Sequence, residues 1–362
     1  MRLCALQLEN FRNLDDQIFE AGARFNVLAG DNGQGKTNLL EAIYYTGTTR
    51  SFRTTHAREL VRHGADSARV RARVERHGVE RQYAIELGQG GRRVLLDGKE
   101  PRELAQYFGD FTTVLFAAED LRVPRGTPSA RRRFLDRAVF GREVGFLDHV
   151  QRYQRALKTR NLVLKESPRP ALVEVYEEQL AEQGSRMVAA RRRYLADLAA
   201  PLAEAYEAIT RSGLMATATY DGDAVLEDPA AMLAALAAAR PRDLARRQTT
   251  LGPHLHDLAF GLAGRDAGRF GSQGQLRALV LAWKSAELRL LQQRADDSPI
   301  LLLDDVGSEL DPSRTAWLFE FLDRFEGQCF ITTTQADFIP LLRNRLDFRV
   351  QGGRIVPQRE AA

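Results

Sequence analysis

The 362-residue sequence predicts an α/β fold: a parallel sheet around a glycine loop, an antiparallel β layer beside it, and an inserted, mostly α-helical domain. Three observations predict it. Gly30-Asp31-Asn32-Gly33-Gln34-Gly35-Lys36-Thr37 sets Gly30, Gly35, Lys36 and Thr37 at the spacing of a phosphate-binding loop. Ile300-Leu301-Leu302-Leu303-Asp304-Asp305 is an apolar run that ends on two carboxylates. Between them, beyond Phe116, the apolar spacing is helical for about 130 residues.

The glycine loop has the flanks its chemistry needs. Phe25–Ala29 reads as a buried strand, and 38–44 places apolar residues at helical spacing. Glycines let backbone N–H groups curl around phosphate oxygens, and the helix start adds partial positive charge. Lys36 then reaches the β- and γ-phosphates, and the Thr37 hydroxyl is placed to ligate Mg²⁺. By chance the pattern arises in roughly one chain in a hundred of this size, with Gly near ~7%. Lysine is scarce here: 47 of the 52 basic residues are Arg, so a lysine in this slot is less easily accidental.

Composition narrows the class. A hydrophobic content of 44% supplies packed cores and excludes wholesale disorder. Cys4 and Cys329 are far apart and have no second cysteine or histidine at zinc spacing, which suits a reducing compartment. The N-terminal residues alternate and then turn polar, unlike a signal peptide, and no apolar run approaches the ~20 residues of a membrane span. The expected location is cytoplasmic. The net charge of +4 is uneven: residues 121–160 hold eleven basic and three acidic side chains, a local surplus of eight. Such a surface attracts polyanions, although solvated helix faces in an arginine-rich chain give the same count.

In chain order, residues 3–11 are an opening strand, followed by 25–29 and the glycine loop. Residues 50–62 are a loop with a short helix. From Arg69 to Leu96, alternation broken by His77-Gly78 and Gly88–Gly91 predicts an antiparallel meander. Thr112–Phe116 is a further parallel strand. Helices are expected over 129–140, 143–165, 171–199 and 229–239, with breaks at Ser167-Pro168-Arg169-Pro170, Pro201 and Gly213. Strands are expected near 215–220 and 257–260, and no internal repeat is present. Ser272-Gln273-Gly274-Gln275 opens a helix running to about Gln293, with Ser272 as N-cap and outward N–H groups near Gly274. At the tip of the 300–305 strand, Asp304 is assigned to the metal and Asp305 to activation of water. Ser308-Glu309-Leu310-Asp311 precedes Pro312 at a helix start, and 328–332 is a strand ending in Thr332-Thr333-Thr334.

Taken together, these residues resemble the ABC-type ATPases, in the DNA-repair branch that includes the SMC and Rad50 proteins, and the match to the RecF family is close. The resemblance is carried by Asn10-Phe11-Arg12-Asn13-Leu14, Gly30–Ile43, Glu119-Asp120-Leu121 with Arg131–Asp136, Thr250–His254, Ser272–Arg277 and Leu301–Asp311, spread over the whole chain. Some positions depart from the family pattern. Thr332–Thr334 stands where transporters place a histidine, as it does in RecF-like chains; against the RecF pattern itself, Ala118 replaces a proline before Glu119-Asp120, and Leu255-His256-Asp257 replaces an Arg-Asp-Asp triplet. Glu119, not a glutamine, is nearest to the expected Q-loop.

The resemblance implies an ABC-type ATPase head from 1–125 and 246–362, with 126–245 as the inserted helical domain. It implies a weak, DNA-dependent ATPase that binds ATP and Mg²⁺ through Arg12, Gly30, Asp31, Asn32, Gly33, Gln34, Gly35, Lys36, Thr37 and Asn38. Ser272, Gly274 and Gln275 would complete the site from a second subunit. Lys36, Asp304 and Asp305 would be catalytic, Thr37 and Asp304 would hold the metal, and Arg131, Arg132 and Arg133 would contact DNA. It further implies an ATP-dependent homodimer in DNA replication, repair and the SOS response. Such a dimer would act at gapped DNA and single-/double-strand junctions with RecR and RecO, and assist RecA loading where single-strand-binding protein coats the gap. Three rivals share parts of the pattern. A transporter ATPase subunit fits poorly with Thr332–Thr334 and the helical insertion. A nuclease or phosphotransferase needs further carboxylate or acceptor sites. An ATPase without a DNA role would use the arginines for solvation only.

Overall fold

Alternation in the first hundred residues builds a five-stranded antiparallel sheet. Its strands are Arg2–Glu9, Gln17–Glu20, Ala68–Arg76, Val79–Gly88 and Gly91–Leu96, with Gln17–Glu20 at one edge and Gly91–Leu96 at the other. On Ala68–Arg76, Val70, Ala72 and Val74 are buried while Arg69, Arg71 and Arg73 turn outward, the two-residue period of a half-buried sheet. The structure is a computed structural model describing residues 1–108, 111–166, 169–294, 297–305 and 310–358. Ser167-Pro168 and Ser308-Glu309, singled out above, lie outside the described residues.

A second sheet of six strands carries the glycine loop. Its order is Arg354–Gln358, Arg345–Gln351, Phe25–Ala29, Cys329–Thr333, Ile300–Asp304, Thr113–Ala117. All neighbours pair in parallel except the first two. Four of these strands are buried along their whole length, as continuous apolar runs in parallel sheets are. The Lys36–Thr48 helix packs on three of these strands and also against the antiparallel sheet, so residues 39–48 are buried on every side. That explains why its sequence lacks a polar face.

Packing divides the chain into two units, Met1–Asp120 with Leu291–Ala362, and Leu121–Leu290. The second holds the Pro128–Arg142, Phe146–Glu166, Pro170–Thr210 and Pro229–Arg246 helices, most of Gln273–Arg294, and a sheet formed by Ala216–Asp221, Asp257–Leu262 and Arg265–Asp266. Its core centres on Trp283, fully buried, with the rings of Phe134, Phe260 and Tyr194 at 5.0, 5.7 and 6.0 Å.

Two helices outrun their expected ends. Pro170–Thr210 continues through Pro201 because Leu198, Leu202 and Tyr206, all 0% exposed, hold one face in the core and outweigh the lost backbone bond. Pro229–Arg246 likewise continues through Pro241, which is exposed, with Leu236 and Asp243 buried on the other side. The Gln17–Glu20, Arg345–Gln351 and Arg354–Gln358 strands were not expected. In Arg345–Gln351 only Phe348 and Val350 are buried, a pattern too sparse to declare a strand without its partner Phe25–Ala29.

Candidate nucleotide site

The parallel register brings the tips of the strands level. Leu28 pairs with Thr332, Thr332 with Asp304, and Asp304 with Ala117, so the glycine loop, both carboxylates and the threonine triplet emerge along one sheet edge. The loop needs its glycines there. A Cβ on Gly30 would lie 2.2 Å from the Val350 carbonyl oxygen. Gly35, the N-cap of the Lys36–Thr48 helix, has φ 116, and a Cβ there would meet Leu14 at 2.8 Å. The helix has no side-chain cap and no acid in its first turn, leaving its N–H groups to an anion.

Lys36 is 7% exposed, and its Nζ donates to the carbonyl oxygens of Gly30 (2.5 Å) and Asp31 (2.9 Å). Burial lowers its pKa, opposed by the nearby carboxylates of Asp305, Asp304 and Asp31. Asp304, also 7% exposed, accepts from the hydroxyls of Thr37 (2.8 Å) and Thr332 (2.9 Å). Burial raises its pKa; the two hydroxyl bonds oppose the rise, and Glu119 and Asp305 add to it. Thr332 Oγ1 also accepts the backbone N–H of Asp305 at 2.9 Å, so one hydroxyl positions both acids. Asp305 sits at φ 51, a left-handed conformation that Asp tolerates better than most residues.

This donor set suits a hard divalent cation such as Mg²⁺: one hydroxyl and one carboxylate oxygen, adjacent and largely shielded. Among the described residues no group of three or more His, Cys, Asp or Glu is gathered for a metal. A cation at Thr37 and Asp304 would therefore complete its shell with water and phosphate, as Mg²⁺ commonly does. The arrangement can cradle a polyphosphate, neutralise it with Lys36 and a cation, and present Asp305 to a water.

Three of the expected residues have other partners. The Arg12 guanidinium lies on Glu41, both nitrogens at 2.9 Å, and Glu41 is 0% exposed. Gln34 is held by the turn between the last two strands, where Gly352 N–H donates to its side chain (2.6 Å) and Gly353 N–H to its carbonyl (3.0 Å). Asn38 donates to the Asn13 side chain at 2.6 Å, and Asn13 donates to the Gly33 carbonyl at 3.1 Å. Glu41, Asn13 and Thr332 were missed as site residues. The spacing of the 10–14 motif pointed towards the second; a lone acid inside a buried helix gave no signal for the first.

Ser272, Gly274 and Gln275 lie in the second unit. Ser272 Oγ accepts the Gln275 N–H (3.2 Å) and Gln275 Oε1 accepts the Ser272 N–H (2.8 Å), a reciprocal cap at the start of Gln273–Arg294. Arg125 steadies the preceding turn by donating to the carbonyls of Gly268 (3.1 Å) and Gly271 (2.6 Å). The arginine triplet is divided. Arg131 pairs with Asp257, its Nε at 2.9 Å, and Arg132 donates to the His256 carbonyl at 2.7 Å, whereas Arg133 is exposed. Arg160, counted in the basic window, is wholly buried between Glu177 and Asp243 at 2.7 Å each. Tyr153 and the Thr249 carbonyl fix His254, which sits inside this unit.

A family model described as the RecF/RecN/SMC N-terminal domain matches residues 2–351. The DNA replication and repair protein RecF of Myxococcus xanthus (strain DK1622) is 41% identical over 374 residues, covering 100% of this chain and 98% of its own. The solved structure described as the recombination mediator protein RecF-ATP in the RecFOR pathway superposes with a TM-score of 0.88 at 29% identity, covering 99% of this chain and 97% of that one. An SMC head domain from Pyrococcus furiosus matches at a TM-score of 0.55 and 16% identity, over 98% of this chain and 95% of that one, a likeness of fold. With identity of this order along its whole length, this chain belongs to the RecF family within the RecF/RecN/SMC group.

Proposed function

We propose that this chain is an ATP-controlled DNA-binding protein of replication and recombinational repair. The observation that carries the nucleotide part is the meeting of Thr37 and Asp304 beside the buried Lys36, at the edge where the glycine loop leaves the sheet. In this reading the backbone of Gly30–Thr37 binds the phosphates with Asn38 alongside, and Lys36 exchanges its two loop carbonyls for the β- and γ-oxygens. Mg²⁺ on Thr37 and Asp304 would supply charge neutralisation. Asp305, oriented by Thr332, takes the proton of the attacking water.

Ser272, Gly274 and Gln275 serve the site of a second copy, so ATP drives dimerisation and slow hydrolysis releases it. The functional division runs 1–125 and 246–362 for the ATPase, with 126–245 inserted. The similarity to RecF proteins supports cytoplasmic action at gapped DNA with RecR and RecO, ahead of RecA loading. For DNA, Arg133 is the contact residue we favour within the triplet; the internal partners of Arg131 and Arg132 support a bracing role. Gel-shift titration of gapped DNA with and without ATP·Mg²⁺ tests the reading. ATP should tighten binding, and affinity should fall steeply with salt for any sequence. Equal affinity with and without nucleotide would remove the ATP control.

A further inference from the structure

The Glu41 carboxylate, fully buried, collects donors from three residues in two separate segments. Arg12 reaches it with two nitrogens at 2.9 Å, the Ser51 hydroxyl donates to Oε1, and Arg53 Nη1 lies 3.4 Å from Oε2. Arg53 Nη1 also donates to Asn38 Oδ1 at 2.6 Å. From there the bonds run on through Asn38 to Asn13, and from Asn13 to the carbonyl of Gly33 at the crown of the glycine loop. A continuous polar chain therefore links a charge in the core of the Lys36–Thr48 helix to the rim of the phosphate cradle. Gly33 itself has φ 80 and no atom within 4 Å of a Cβ position, so packing does little to hold the crown.

We propose that Glu41 is a positioning residue for nucleotide binding. It fixes Arg12, the chain neighbour of Asn13, and Arg53, which donates to Asn38; Asn38 in turn donates to Asn13, and through Asn13 the chain sets the conformation of the loop at Gly33. The physical reason is that a buried carboxylate must keep its donors, since losing them leaves a charge unpaired in the core. The segments 10–14 and 51–54 are therefore tied to the helix whether or not a ligand is present. The cradle is preorganised, and binding need not supply the ordering of the loop. This inference rests on the nucleotide reading above, but part of its test does not.

Glu41→Gln and Asn13→Ala are compared singly and together, with Lys36→Ala as control. Amide exchange across residues 30–35 of the nucleotide-free protein should quicken in both single variants, with the double variant no faster than the quicker single. Calorimetry with ATP·Mg²⁺ should show affinity weakened about tenfold in each, again without multiplication in the double, because both break one chain. In turnover the loss should lie in KM with kcat nearly unchanged. Asn13→Ala does not touch the buried charge, so it keeps the test valid if Glu41→Gln unfolds. Multiplying effects, or a lower melting temperature in Glu41→Gln with unchanged loop exchange and affinity, would overturn the proposal. A wild-type protein that bound no nucleotide would instead sink the nucleotide reading, leaving the exchange measurement to judge the chain.

Discussion

Thr37 and Asp304 are 267 residues apart in sequence, yet the hydroxyl of one donates to the carboxylate of the other at 2.8 Å. Parallel pairing of three adjacent strands produces that meeting. Phe25–Ala29 aims the glycine loop, Ile300–Asp304 ends on the acid, and Cys329–Thr333 between them supplies Thr332 as a brace. The nucleotide chemistry proposed for this chain depends on that level edge.

Replacing Lys36 by Ala should abolish nucleotide binding. Its ammonium donates to the Gly30 and Asp31 carbonyls, and the γ-phosphate loses its point charge without it. Calorimetry with ATP·Mg²⁺ reads the outcome, and unchanged affinity would dismiss the phosphate-loop assignment.

Asp305→Asn should bind ATP normally and hydrolyse it roughly 10²- to 10⁴-fold more slowly, the usual cost of losing a general base. Its backbone bond to Thr332 survives the change, and Asn tolerates the left-handed φ, so the fold should be retained. Wild-type turnover in this variant would move the base elsewhere.

Arg160→Met should destabilise the second unit by about 3–5 kcal/mol, because Glu177 and Asp243 would be left as buried charges short of a partner. Chemical denaturation gives the value. Replacing all three residues by apolar side chains of similar volume should recover much of the loss, which separates the burial of charge from mere packing.

Acid should weaken the second unit before the carboxylates titrate. His256 has its pKa lowered from 6.5 to about 4, by burial first and then by Arg191, His254 and Arg192, with Asp221 opposing and Tyr220 bonded at 2.8 Å. Its folded state resists protonation, so the unfolded state binds more protons between those two values and stability falls as pH drops through that window. A plot of melting temperature against pH should be flatter there for His256→Gln than for wild type. Parallel curves would assign the acid sensitivity to other groups, His254 among them.

Lys36→Ala and Ser272→Arg should each be inactive alone and regain ATPase activity when mixed, if each site takes its phosphate loop from one copy and its capped helix start from the other. The heterodimer then holds one intact site and one doubly broken site. Background activity despite crosslinked heterodimers would mean a site built within one copy, or two sites that must fire together; titrating wild-type chain into each mutant tells these apart.

Much of this protein was determined by its sequence alone. The glycine loop, its strand and helix, the strand with paired acids and the capped helix start each depend on local spacing, and local spacing is what residues 25–44, 272–277 and 300–305 display. Side-chain partners were beyond its reach, because they depend on which distant backbone a charged group meets in the folded chain. Arg12, expected on the nucleotide, is held by Glu41; Arg160, counted in a basic surface, is sealed between two acids; Pro201 lies inside a helix whose apolar face outweighs its missing N–H. Burial decided each of these: a guanidinium removed from water requires carboxylates nearby, and only the tertiary structure says which carboxylates those are.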